Sequence, residues 1–381
     1  MNVFFALGSF YPAQTGGADN AVYWAARALA RRGVSVAVAT TDSGLKPGDV
    51  PLNRWLTTEF GEVIYARTHV HYLPFRLFWY SLRRLWWADV VHLNALFYPI
   101  SLMLAICCRL MGKPVVWSVH GELAPAALGN TPIHKRLFIS IIRRISQPFV
   151  FHSTAELEHQ YVRQVLGPHR TVRLIPLYVE LPVSYPYAPE AEPYLLFVGR
   201  LHPVKALENL FQAVATVPAF QTGGWRLKLI GHGEPAYEQS LHQLVTQLGL
   251  GKKIEFLGYR TGEEKYRLLA GAYATVLPSH TENFSVVVVE SLAQETPVLA
   301  SKHTPWALLV EYGAGWWVDN DPVSLAAALT QILALPAAQY ATYRQNAGRL
   351  ANRFEVNAHI DTWLDLYQSV LVTDHTPVSA A

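Results

Sequence analysis

The chain has 381 residues, 51% hydrophobic and 15% charged, with a formal net charge of +3. That length suits two domains, and the composition excludes a polar disordered chain. No run reaches the ~20 apolar residues of a membrane-spanning helix. The only cysteines, Cys107 and Cys108, are adjacent and build no disulfide framework, which points to a reducing cytoplasm.

Charge is unevenly divided along the chain. Residues 1–180 carry 18 Lys/Arg against 10 Asp/Glu, a balance of +8, and residues 181–381 carry 13 against 18, a balance of −5. A basic first half suggests an anionic neighbour, unless the difference is compositional drift. No recognised module or dense Lys/Arg block points to nucleic acid.

In chain order, residues 2–7 read as a buried strand with no basic segment before it, so no secretory leader is expected. Residues 18–32 read as a helix stopped by Gly33. Buried strands follow at 35–40, 89–93, 114–119 and 149–152. Residues 181–193 hold four prolines in thirteen positions and read as an interdomain linker. The pattern then restarts, with strands at 194–198, 226–230, 253–257, 274–277 and 298–300. Strands alternating with helices imply parallel sheets covered by helices. This divides the chain into a first domain, 1–180, and a second, 194–356. A tail, 373–381, is expected to fray.

Glu282-Asn-Phe-Ser-Val-Val-Val-Val-Glu290 follows the strand at 274–277 and places Glu282 in a strand-to-helix loop. Glu290 falls about two turns into a helix over 285–294. Loops at the carboxyl edge of parallel strands bind ligands. The free N–H groups of Asn283, Phe284 and Ser285 can hold an anion there. Arg200 and Lys205 follow the strand at 194–198, where a planar fork and a compact charge suit phosphate oxygens. The alternative is a pair of solvated loop cations. Asp319-Asn-Asp321 precedes Pro322 and reads as a helix N-cap rather than a metal site. No His/Cys cluster has metal-ligand spacing.

These segments jointly resemble the retaining glycosyltransferases of family 4. The resemblance rests on the Glu282–Glu290 spacing, Phe10-Tyr-Pro-Ala-Gln-Thr-Gly16-Gly17, and Ser118-Val-His120-Gly121. It also rests on Phe197-Val-Gly-Arg200-Leu-His-Pro-Val-Lys205 and Leu229-Ile-Gly231-His-Gly233-Glu234. It implies a GT-B fold: two doubly wound Rossmann-like domains with an interdomain active-site cleft, and a last helix, about 357–372, returning to the first domain. It also implies a nucleotide-sugar donor of unknown base, no cofactor, no obligatory metal, and a glycan or lipid-linked acceptor in polysaccharide or lipopolysaccharide synthesis.

By that resemblance, Arg200 and Lys205 take the diphosphate, Glu290 the ribose, and Glu282 the donor sugar. The 283–285 amides contact sugar and phosphate, and His120 contacts the sugar. Gly231 and Gly233 approach the nucleotide, and Tyr259 borders the base. Gly16 and Gly17 lie at a phosphate or the acceptor, and Glu122 is assigned to the acceptor. Glu282 acts as an orienting group or as a nucleophile under the ring; both remain open. Two departures stand out: Ala206 where relatives carry Gly, and Ile175-Pro-Leu-Tyr-Val179 where they read I-P-N-G-V.

Rival readings are a nucleotide-sugar epimerase of the same fold and a non-catalytic nucleotide-sugar-binding partner subunit. A nicotinamide oxidoreductase is disfavoured, because no G-x-G-x-x-G follows the first strand. Segments 75–87 and 134–145 mix basic with large apolar residues, so peripheral contact with an anionic membrane on the cytoplasmic face is expected, unless both are ordinary helices packed on a sheet.

Overall fold

A computed structural model describes residues 1–13, 17–68, 74–129 and 132–372. The chain forms two compact units, Met1–Glu180 joined by the residues from Val356 onward, and Leu181–Glu355.

Among the described residues, the first unit has an eight-stranded sheet. Its strands are β1 (Asn2–Ala6), β2 (Ser35–Thr41), β3 (Trp55–Thr58), β4 (Gly61–Ala66), β5 (Val90–Asn94), β6 (Val115–Ser118), β7 (Val150–Ser153) and β8 (Thr171–Leu174). Their spatial order is β3-β4-β2-β1-β5-β6-β7-β8. Only the β3–β4 pair is antiparallel. The inner strands are continuous apolar runs, as burial on both faces requires. One face is covered by helices Phe75–Trp87, Pro99–Met111, Ile133–Ile145 and Glu156–Leu166. The other is covered by Gly17–Arg31 and the last helix, Val356–Val372.

The second unit is an all-parallel six-stranded sheet. Its strands are β9 (Tyr194–Val198), β10 (Arg226–Ile230), β11 (Ile254–Gly258), β12 (Ala274–Leu277), β13 (Val298–Ser301) and β14 (Gly315–Val318). The order is β11-β10-β9-β12-β13-β14. Two doubly wound α/β units are therefore present, each with its own core.

Four strands were not legible beforehand: β3, β4, β8 and β14. β3, β8 and β14 have four residues each and no fully buried run marks them, whereas β4 has six residues with its last four buried. The β3–β4 hairpin closes at Gly61, φ +111°, where a Cβ would lie 2.2 Å from the Val36 carbonyl oxygen. Residues 181–193 run along the second unit rather than hanging as a free tether. Gln294 Nε2 donates to the Val183 carbonyl at 2.9 Å, and the Tyr185 amide donates to Gln294 Oε1 at 2.9 Å. Arg344 lies 4.0 Å over the Tyr187 ring. The tail 373–381 and Gly16 lie outside the described residues. Among the described residues, no single helix is long and apolar enough to cross a membrane.

Candidate active site

All loops after the second-unit strands leave from one sheet edge, because every strand is parallel. Gly231 and Gly233 bring the loop after β10 against the loop after β9. The Leu201 amide donates to the His232 carbonyl at 2.9 Å. A Cβ on Gly231 would sit 1.9 Å from the Gly199 carbonyl oxygen, and one on Gly233 2.0 Å from that of Leu201. Glycine is thus required at both positions for loop packing. Arg200, carried by this packed loop, is exposed and forms no ion pair among the described residues.

Lys205 behaves differently. Its Nζ lies 2.5 Å from Glu282 Oε1, with both side chains largely buried. Ser279 Oγ donates to the same carboxylate oxygen at 2.7 Å. The His280 amide donates to the Val204 carbonyl at 2.8 Å, so the loops after β9 and β12 are latched together. Ala206 follows Lys205 with φ +50°, the left-handed region where a non-glycine residue costs about 1–2 kcal/mol. Ala206 thus makes a left-handed turn without glycine, at that cost.

Glu282 thus lies in a loop, and the helix after it is Val286–Ala293, one residue shorter at each end than expected. Ser285 precedes the helix with φ +70° and no side-chain cap, leaving its first amides free of one. The Phe284 ring is buried against Trp306 and Phe354, so only its backbone is available. The Trp306 indole N–H donates to the Phe284 carbonyl and holds this loop. Glu290 is buried, and its Oε1 meets Lys265 Nζ at 2.6 Å and accepts from the Tyr266 hydroxyl at 3.4 Å. Burial, with Glu290 beside it, pushes the Tyr266 phenol up. Tyr259 is exposed beyond β11, its amide donating to His232 Nε2 at 3.2 Å.

In the first unit, His120 sits two residues past β6 with φ +52°. Its Nε2 donates to Asn94 Oδ1, 3.0 Å away at the end of β5. Burial, then the nearby His152, pushes its pKa down to about 3, so it is neutral near pH 7. The turn is held by Glu158, which accepts from the Gly121 amide at 2.5 Å and from the Thr154 amide at 2.6 Å. Glu122 is likewise engaged. It accepts from the Leu96 and Phe97 amides, the latter at 3.2 Å, and so clamps the loop after β5. Burial raises the pKa of both carboxyls. Gly17 is the first residue of its helix.

Beneath His120 runs a buried hydrogen-bonded chain. His152 Nε2 lies 2.9 Å from the Ile175 carbonyl, which can only accept, so His152 Nδ1 is an acceptor. Ser118 then donates to that nitrogen at 2.7 Å and accepts from His92 Nε2 at 2.7 Å. The Tyr367 hydroxyl therefore donates to His92 Nδ1 at 2.8 Å. Every link is satisfied in one direction with both imidazoles neutral. Burial accordingly lowers both pKa values, that of His152 to about 4.

Sequence reasoning missed Asn94, Glu158, Lys265 and this histidine chain. Their partners lie 24 or more positions away for Asn94, Lys265 and Tyr367, with no local pattern to mark them. At the proposed N-cap, Asp321 Oδ1 accepts from the Val323 and Ser324 amides at 3.0 and 2.9 Å. Asp319 pairs with Lys302 at 2.8 Å. Among the described residues, no group of three or more His, Cys, Asp or Glu could hold a metal.

Two Rossmann-like units, each with polar side chains gathered at strand ends, define a GT-B fold. Residues 15–181 match the family described as Glycosyltransferase Family 4, and residues 186–350 match Glycosyl transferases group 1. The chain thus carries one domain of each of these two glycosyltransferase families, each over a little less than half of its length. It is similar to the D-inositol 3-phosphate glycosyltransferase of Salinispora tropica, 29% identical over 50% of this chain and 41% of that protein. It is also similar to the lipopolysaccharide core biosynthesis glycosyltransferase LpsE of Rhizobium meliloti, 30% identical over 48% of this chain and 51% of that protein. The chain thus matches about half or less of the length of these curated relatives. Among solved structures, sucrose-phosphate synthase from Thermosynechococcus elongatus aligns over 98% of this chain and 99% of its own, with TM-score 0.80 and 22% identity. HepE of Anabaena in complex with UDP-glucose aligns over 96% and 100%, with TM-score 0.73 and 21% identity. At these identities the structural likeness establishes the fold.

Proposed function

We propose that the protein is a retaining glycosyltransferase. It moves a hexosyl group from a nucleotide-sugar donor to a glycan or lipid-linked acceptor in polysaccharide or glycolipid synthesis. The observation that carries this reading is the 2.5 Å Lys205–Glu282 ion pair, which joins the loop after β12 to the loop after β9 that also carries exposed Arg200. Family membership supports the reaction class. HepE, bound to UDP-glucose, supports the donor class, and LpsE supports the product class. Free Cys107 and Cys108 fit a reducing cytoplasm.

In this proposal the donor diphosphate meets Arg200 first and then draws Lys205 from Glu282. Two cations stabilise the departing diphosphate, so no metal is required for that charge. Glu282, released from Lys205, accepts hydrogen bonds from the donor-sugar hydroxyls, and Glu290 accepts those of the ribose. The amides opening helix Val286–Ala293 face the anion. Neutral His120, its Nε2 committed to Asn94, offers Nδ1 as an acceptor to a sugar hydroxyl. The bond from the anomeric carbon to the diphosphate oxygen breaks with its electron pair going to the diphosphate. The acceptor oxygen bonds to the same face, and its proton passes to the departing diphosphate. Glu282 orients and stabilises charge and forms no covalent bond.

The test titrates UDP-, GDP- and ADP-sugars into wild type, Arg200→Ala and Glu290→Ala with chelator present, and follows donor turnover. One nucleotide series should bind, at least tenfold more weakly in both variants, and turnover should fall with it. Binding without turnover, even with membranes added, would favour the non-catalytic partner subunit. Equal affinity in all three proteins would overturn the donor site.

A further inference from the structure

We infer that one helical face of the first unit is a docking surface for an anionic lipid bilayer. This does not depend on the proposed reaction. Helices Phe75–Trp87, Pro99–Met111 and Ile133–Ile145 pack side by side in that order on one face of the sheet. The sequences of all three contain no Asp or Glu. On their outer sides, Phe75, Trp79, Trp86, Leu110, Ile133 and Leu137 are 56–85% exposed. Scattered exposed apolar residues need no explanation, but large ones concentrated on adjoining helices mark an interaction surface.

The structure separates this outer set from the core set. On the first helix, Leu77, Ser81 and Leu85 are buried, while Phe75, Arg76, Trp79, Arg83 and Trp86 form the opposite stripe. Arg84 is turned inward, paired with Glu62 at 2.8 Å and lying 4.0 Å over the Trp55 ring. Arg83 stays outside, 5.6 Å over Trp79. Helix Pro99–Met111 adds exposed Ile106, Arg109 and Leu110, and the third helix adds exposed Arg136 and Arg144. Among the described residues, Arg76, Arg109, Arg136 and Arg144 form no ion pair.

Charge selects the occupant. A second copy of this face would bring arginines against arginines with no carboxylate on the three helices to answer them. An anionic headgroup layer answers all of them, and the interfacial region accepts tryptophan rings with their polar edges wet. No spanning helix is needed for such attachment.

The test is sedimentation of the whole protein with vesicles of phosphatidylcholine alone and of phosphatidylcholine with phosphatidylglycerol, at low and high salt. Wild type should sediment with the anionic vesicles only, and less at high salt. Trp79→Ser/Trp86→Ser/Leu110→Ser should weaken binding at least tenfold. Arg76→Gln, Arg83→Gln and Arg136→Gln should each weaken it about fivefold, as expected for one cation at an anionic surface. All substituted side chains are exposed, so urea midpoints should match wild type and confirm folding. Failure of wild type to bind anionic vesicles at low salt would overturn the proposal. So would equal binding by the variants, or a dimer lost in the triple variant without vesicle binding.

Discussion

Gly231 shows how little freedom the candidate donor site has at single residues. Its φ of +144° and the 1.9 Å approach of a would-be Cβ to the Gly199 carbonyl leave no room for a side chain. Gly231→Ala should destabilise the second unit by several kcal/mol, since backbone rather than a flexible side chain must move. It should also displace the Arg200 loop, so donor affinity falls with stability; calorimetry and donor titration read both. The Lys205–Glu282 pair makes a second prediction. At 2.5 Å and largely buried, its members should be coupled by about 1–2 kcal/mol in a double-mutant cycle of Lys205→Ala and Glu282→Ala, followed by urea unfolding. A coupling indistinguishable from zero would mean that the two side chains are independently solvated.

Elements differ in how they were legible, and the last helix shows why. Helix Val356–Val372 was expected to return to the first domain, but its attachment was hidden. Trp363 and Tyr367 reach buried histidines on β5 and β7, with ring centroids 5.2 Å apart for Trp363–His92 and 4.6 Å for Trp363–His152. Tyr367→Phe removes the donor to His92 Nδ1 and leaves a buried acceptor unpaired, a loss of about 1–3 kcal/mol. Trp363→Ala should cost about 3–5 kcal/mol through the cavity it opens. Both are read as lower urea midpoints of the first unit. The strand-end residues His120, Arg200, Lys205 and Glu282 were readable because a buried apolar run announces where a parallel strand stops. Asn94 and Lys265 were not, because each acquires its partner only when the chain folds, and Glu158, though bonded locally to Thr154, reaches the Gly121 amide only then. Glu122, assigned to the acceptor by resemblance, has a role that no local pattern marked: its carboxylate accepts from the Leu96 and Phe97 amides.

At the scale of the whole molecule, the two units should respond differently to acid. His92 and His152 are buried, neutral and confined to the first unit, and burial holds their pKa values below the unfolded value of about 6.5. For such depressed groups the stabilisation is fully present above pH 6.5. It is lost as pH falls toward the folded values, because the unfolded chain takes up the protons first. For His152 alone, a shift to about 4 corresponds to about 3 kcal/mol. His120, held down to about 3 by burial, acts in the same sense, so while all three histidines are linked the stability of the first unit should fall with a slope approaching about 4 kcal/mol per pH unit. Scanning calorimetry from pH 7.5 to 4.5 should therefore show the first unit's transition moving to lower temperature ahead of the second. His92→Gln with His152→Gln should remove about two thirds of that slope even if it lowers stability at pH 7.5, since neither replacement takes up a proton and His120 keeps the rest. A first-unit transition that keeps its full pH slope without these histidines would place the acid sensitivity elsewhere in the fold.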